Sequence, residues 1–205
     1  MGRAGWVAAT SYLEGRGVFG RHLVELADQL LSEHALRPAD LEAVGVAVGP
    51  GSLTGLRIGL SAAAGLAFAI KKPTIPVGNL ETLAFKHRQD GTLVAPWLEA
   101  GPDKIYHALY HCSPQDISEA QPPAAAPPAA ALELLPDAAV LILGGGASRF
   151  REQARAHRPQ TAIAFDDLDL VEAVVELSFV RLKQGRSCAP EHLRPLYLRD
   201  PELRR

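Results

Sequence analysis

Cysteine is nearly missing: the 205 residues hold two, Cys112 and Cys188, and they stand far apart. Without a C-x-x-C spacing there is no structural zinc site to read, and the chain fits a reducing cytosol. A basic excess is missing too. Lys and Arg number 21 against 23 Asp and Glu, a formal net charge of −2. Proteins that bind nucleic acid unaided carry a surplus of positive charge, so any such contact is expected to be carried by a partner chain. Long apolar runs are also missing. The most apolar stretch, Leu56–Ile70, contains Arg57 and is shorter than the roughly 20 residues a bilayer requires; it reads as a buried helix. Met1–Thr10 has no long apolar core, so it does not read as a signal peptide. What is present is an ordinary globular balance, 47% apolar and 21% charged, suited to one large domain or two small lobes.

The hydrophobic period changes along the chain. Trp6–Tyr12 has strand-like residues and runs into the turn-prone Glu14-Gly15-Arg16-Gly17. Leu23, Leu26, Ala27, Leu30 and Leu31 then recur at helical spacing, an amphipathic helix that ends near His34, before Pro38. Leu41–Val48 reads as a strand buried on both faces. A glycine loop, Gly49 to Ser52, leads into a helix from about Thr54 to Ile70; Thr74–Val77 reads as strand and Leu80–His87 as helix. Strand and helix alternate, the pattern of an α/β sheet.

The second half opens with paired strands, Thr92–Leu98 and Lys104–His111. Ser113–Ala131 is rich in Pro and Ala and reads as a surface loop. Ala138–Leu143 is a strand, Phe150–Ala156 a helix, and a last long helix spans Leu168 to Lys183. Asp166, Asp167 and Asp169 at its start, with Arg181 and Lys183 at its end, follow the helix dipole. The expected division is an N-terminal lobe, 1–91, and a C-terminal lobe, 92–205.

The most informative block is Gly49-Pro50-Gly51-Ser52-Leu53-Thr54-Gly55-Leu56-Arg57-Ile58-Gly59. A strand, glycines and a helix N-terminus together favour anions, so Gly49, Gly51 and Ser52 form a candidate nucleotide or anion loop. The spacing matches neither G-x-x-x-x-G-K-[ST] nor G-x-G-x-x-G. In the helix, Gly55, Gly59, Ala63 and Ala67 recur every fourth residue, a stripe with almost no side chain. Such a stripe permits a close helix contact, either inside the domain or with another chain. Gly144, Gly145 and Gly146 follow a strand and form a second candidate nucleotide loop.

The block VGVAVGPGSLTGLRIGLSAAAGLAFA resembles the signature of the TsaB (YeaZ) family. Weaker matches lie in order along the chain: Gly20-Arg21-His22-Leu23 with its helix, Pro76-Val77 with Leu80-Glu81-Thr82-Leu83-Ala84, and Leu193–Arg199. The resemblance implies an α/β, actin-like fold of the sugar-kinase and heat-shock ATPase type, in two lobes. It implies a non-catalytic subunit that pairs with a TsaD-type catalytic subunit, or with itself when that partner is absent. A TsaE-type ATPase completes the set that forms threonylcarbamoyladenosine on tRNA. The tRNA is then met only through the complex, no cofactor is expected on this chain alone, with the junction to the catalytic subunit a candidate place for ATP or ADP, and the protein is expected to be cytoplasmic. The residues that the resemblance places at the partner interface are His22, Leu26, Leu53, Thr54, Gly55, Leu56, Arg57, Gly59, Ala63 and Ala67.

The chemistry of the catalytic relatives is not matched. They hold a metal with H-x-x-x-H on the first helix; here His22 fills the first place and Leu26 the second. His107 and His111 have the same spacing, but in a strand their rings stand roughly 13 Å apart, too far to share one metal. No metal ligand set is therefore expected. Glu99-Ala100-Gly101 stands where the family has Asp-Ala-Arg. Family members also open on a strand with an Asp-Thr-[AS] phosphate loop. No strand with that loop precedes Trp6–Tyr12, so the opening strand or strands are expected to be absent, through either a mis-assigned start or a real truncation; in the second case a sheet edge would be exposed. Two other readings, an actin-like ATPase or phosphotransferase and a metallopeptidase-like protein, need a phosphate loop or a metal set of this kind.

Overall fold

The structure is a computed structural model that describes Thr10, Ser11, residues 19–164 and residues 169–198. The elements in chain order are α1 (Phe19–Glu33), β1 (Val44–Ala47), α2 (Leu53–Ala69), β2 (Thr74–Val77), α3 (Asn79–Lys86), β3 (Thr92–Glu99), β4 (Ile105–Cys112) and β5 (Ile117–Ala126). There follow α4 (Pro128–Glu133), β6 (Val140–Leu143), α5 (Gly145–Arg149), α6 (Arg151–His157), β7 (Ala162–Ala164) and α7 (Val171–Lys183). Short 3-10 turns stand at Pro38–Asp40 and Pro190–His192. The expected strand at Trp6–Tyr12, apart from Thr10 and Ser11, which carry no strand, lies outside the described residues, as do the acidic pair Asp166 and Asp167 and Arg199.

The chain divides into two compact units, 1–78 with 171–196 and 79–170 with 197–205. The division therefore falls at 78/79 and not at the expected 91/92. The cause is packing: α3 lies on β3 and β4, and α7 lies on β1 and β2.

In the first unit β1 and β2 pair in parallel, Val44 beside Thr74 through Ala47 beside Val77. Such a pair needs a crossover, and α2 supplies it. Ser52 caps α2, its hydroxyl accepting from the Gly55 N–H at 3.3 Å. Leu56 and Leu60 of α2 bury against Val48 and Leu193. Beyond β2, Cys188 bonds Thr74 through both backbone groups, each at 2.9 Å. The long α7 begins in the description at Val171, and its Arg181, buried to 9% exposure, donates to the Pro76 carbonyl. That bond answers one N–H of the buried guanidinium.

The second unit is a five-stranded sheet in the order β5-β4-β3-β6-β7. The β3–β4 and β4–β5 pairs are antiparallel; β3–β6 and β6–β7 are parallel. Period-two alternation puts Val94 and Leu98 on one face, with Leu80, Leu83 and Ala84 of α3. Ala95 and Trp97 point to the other, with Ala131, Leu132, Ala147 and Ala154.

The Pro/Ala-rich stretch corrects the expected loop at 113–131. It forms β5 and α4. Pro122 and Pro123 fall where the ladder slips, between Gln121 opposite Leu109 and Ala124 opposite His107. β5 is an edge strand, and an edge or a bulge is where proline costs no ladder bond. Pro128 opens α4 at a position where its missing N–H is harmless. β7, three residues long, is a strand that short periodicity does not reveal.

His107 is 4% exposed in this core, and its Nε2 has no hydrogen-bond partner among the described residues. Burial pushes its pKa below the ordinary value of 6.5. A histidine held neutral in the fold but free to protonate when unfolded draws the equilibrium toward unfolding in acid. Its contribution is intact above about pH 6.5 and is lost as the pH falls from there toward the folded pKa. Urea unfolding should show wild-type stability declining as the pH falls below about 6.5, and His107→Leu should reduce that decline. Equal declines in both proteins would contradict this account.

Candidate partner interface

The motif helix α2 and its neighbour α1 both belong to the first unit and pack on each other. α1 carries apolar residues at helical spacing, yet from His22 to Glu33 none of its side chains is fully buried. Leu23, Leu26, Ala27, Leu30 and Leu31 stay half-covered, and Val24 is 53% exposed. A helix with a full apolar face normally buries it. Here α2 covers only part of that face.

Along α2 the predicted interface residues separate. Leu53, Thr54, Gly55 and Arg57 are exposed. Gly59 is half-buried, and a Cβ placed on it would meet no atom within 4 Å. Ala63 is half-buried against the core cluster. Leu56 and Ala67 correct the expectation, because both are core residues at 9% and 0% exposure. The reason is helical phase. Four residues turn about 400°, so a four-residue stripe drifts by roughly 40° at each step. Over three steps the stripe from Gly55 to Ala67 walks from the surface into the core.

A seven-residue spacing drifts far less, and it identifies surface residues that the four-residue stripe missed. Thr54, Ser61 and Phe68 follow it, and all three are exposed. Phe68, at 74%, is the most exposed of the large apolar residues described. Gly65 stands in the same row and is also open around its Cα. His22 of α1 is spoken for within its own helix: Nδ1 lies 2.8 Å from the Glu25 carboxylate. Leu26 is half-buried.

The two glycine loops have packing reasons for their glycines. Gly49 has φ +107°, and a Cβ there would press on Leu56 and on the Leu196 carbonyl. Gly51 and Ser52 are exposed, and the Ser52 hydroxyl already answers one N–H of the first turn of α2. Gly144 and Gly146 lie against the Trp97 backbone. Gly145 begins α5, a helix of five residues. His107 is buried and His111 exposed, so these two do not converge. Among the described residues no three of His, Cys, Asp and Glu stand together as a metal set.

The sequence model of the family described as "TsaD: tRNA N6-adenosine threonylcarbamoyltransferase" matches residues 19–165. A Bacillus subtilis protein named "tRNA threonylcarbamoyladenosine biosynthesis protein TsaB" is 35% identical over 125 residues, 60% of this chain and 55% of its own length. A Magnetococcus marinus "tRNA N6-adenosine threonylcarbamoyltransferase" is 40% identical over 81 residues, 40% of this chain and 20% of that protein. The chain thus spans about half or less of these relatives. The solved structure of YeaZ from Pseudomonas aeruginosa superposes with a TM-score of 0.76 at 26% identity, covering 89% of this chain and 85% of that one.

Proposed function

The chain belongs to the TsaD family, and from that premise we propose that it is a non-catalytic partner subunit in the formation of threonylcarbamoyladenosine on tRNA. Its likeness is to the TsaB (YeaZ) branch, and its fold is the actin-like α/β fold. The partner is a TsaD-type catalytic subunit, with a TsaE-type ATPase completing the set. In the absence of the catalytic subunit, two copies of this chain pair through the same face. The tRNA is met through the complex, which suits a chain of net charge −2. ATP or ADP, where it takes part, sits at the junction with the catalytic subunit. The setting is the cytoplasm, and no helix among the described residues is long and apolar enough to cross a membrane.

The observation that carries this reading is the half-covered face of α1 and α2. An amphipathic helix with no fully buried side chain from His22 to Glu33, beside a helix whose exposed row holds Gly65 and Phe68, supports a surface that another chain completes. Exposed apolar side chains on a pair of packed helices are where another protein is expected to make contact. Small residues let a second helix approach closely, and Phe68 gives it an aromatic anchor.

The test is the solution mass of the chain alone and mixed with its organism's TsaD-type protein, by light scattering after gel filtration. A species at the summed mass of one copy of each is the expected result. Absence of any mixed species at micromolar concentrations would overturn the pairing.

A further inference from the structure

A cleft of about 640 Å³ opens in the first unit where α2 ends. Backbone bonds fix its shape. Cys188 pairs with Thr74 on the edge of β2 that faces away from β1. The last turn of α2 closes with the Lys72 N–H on the Ala67 carbonyl at 2.9 Å and the Lys71 N–H on the Phe68 carbonyl at 3.2 Å. Phe68, Pro73 and Pro190 form the apolar part of the wall. Lys71 and Lys72 line it against a single carboxylate, Glu191. Lys71 is exposed, and its ammonium makes no hydrogen bond or ion pair among the described residues.

We infer that this cleft receives an acidic side chain, flanked by apolar residues, from the TsaD-type partner. This occupant presupposes the pairing through α1 and α2 proposed above. Two observations select it. Phe68 belongs both to the exposed row of α2 and to the wall of the cleft, so a chain laid along that row reaches the cleft at its end. The wall carries two lysines to one carboxylate, in a chain of net charge −2, so the complementary group is an anion. A lysine just past a helix C-terminus also suits the helix dipole, but that role acts on the stability of this chain and not on its affinity for another. The backbone supplies a way to separate the two. Lys71 has φ +56°, the left-handed region that favours glycine, so Lys71→Gly removes the charge without straining the turn.

The test is calorimetric titration of the full chain with its organism's TsaD-type subunit, with self-pairing followed separately by light scattering. Lys71→Glu and Lys71→Gly are expected to bind about tenfold or more weaker than wild type, and Lys71→Gly should keep or raise the urea midpoint. Arg155→Glu, at an exposed position on α6, alters the net charge as Lys71→Glu does and should bind within about twofold of wild type. Undiminished binding by both Lys71 variants, with Gly59→Leu weakened, would overturn the cleft contact and leave the α1–α2 pairing standing. Absence of binding by wild type would overturn both. An equal loss in Arg155→Glu would reduce the effect to net charge, and a loss confined to self-pairing would give the cleft to a second copy of this chain; either result overturns the proposal.

Discussion

Gly144→Ala is expected to lower stability by about 2–5 kcal/mol, the sum of overpacking and backbone strain. Gly144 has φ +104° and ψ 179°, a region that residues with a Cβ scarcely enter. The added methyl carbon would stand 2.6 Å from the Trp97 carbonyl oxygen and 2.9 Å from Leu83. Leu83 can turn aside, but the Trp97 oxygen belongs to the central strand β3 and cannot move without disturbing both its neighbours. A typical domain has only about 5–15 kcal/mol of stability in all, so the variant should lie near or beyond its unfolding threshold. Urea unfolding followed by Trp97 fluorescence and far-ultraviolet dichroism would measure it. A midpoint equal to wild type would mean that the triple glycine is not there for packing, and would return Gly144–Gly146 to consideration as a ligand loop.

Gly59→Leu should have the opposite profile. A Cβ at this position meets nothing within 4 Å outside its own helix, so the first side-chain carbon enters the isolated chain without a clash. Helix propensity favours leucine over glycine by about 0.8 kcal/mol, and stability should hold or rise slightly. Pairing should suffer, because a bulky side chain in a close helix contact costs about 1–3 kcal/mol, roughly a ten- to hundredfold loss in affinity. Stability and pairing are read separately, by unfolding and by titration against the TsaD-type subunit. Unchanged affinity would remove Gly59 from the contact; a collapse in stability would show that the position is internal.

The sequence was most legible where one period dominates. Leu23, Leu26, Ala27, Leu30 and Leu31 announce α1, and VGVAVGPGSLTG announces β1, its loop and the start of α2. It was least legible where tertiary position overrides local preference. Pro122 and Pro123 argue against a strand until the strand is known to be an edge with a slipped ladder. α7 closes on β1 and β2 from nearly a hundred residues away, so no local pattern could assign it to the first unit. On α2, small residues are legible in the sequence and helical phase is not. Small residues do mark α2, but the four-residue row leads into the core at Ala67, while the exposed row runs through Ser61, Gly65 and Phe68.

In the proposed function this chain enables a catalytic partner without doing the chemistry itself. The most direct measurement is the yield of threonylcarbamoyladenosine on tRNA from purified subunits, with this chain present, omitted, or supplied alone. Product is expected only when the TsaD-type and TsaE-type proteins are combined with this chain, none from this chain alone, and a reduced yield with Gly59→Leu at limiting concentration. Product from this chain alone, or full yield without it, would contradict the account.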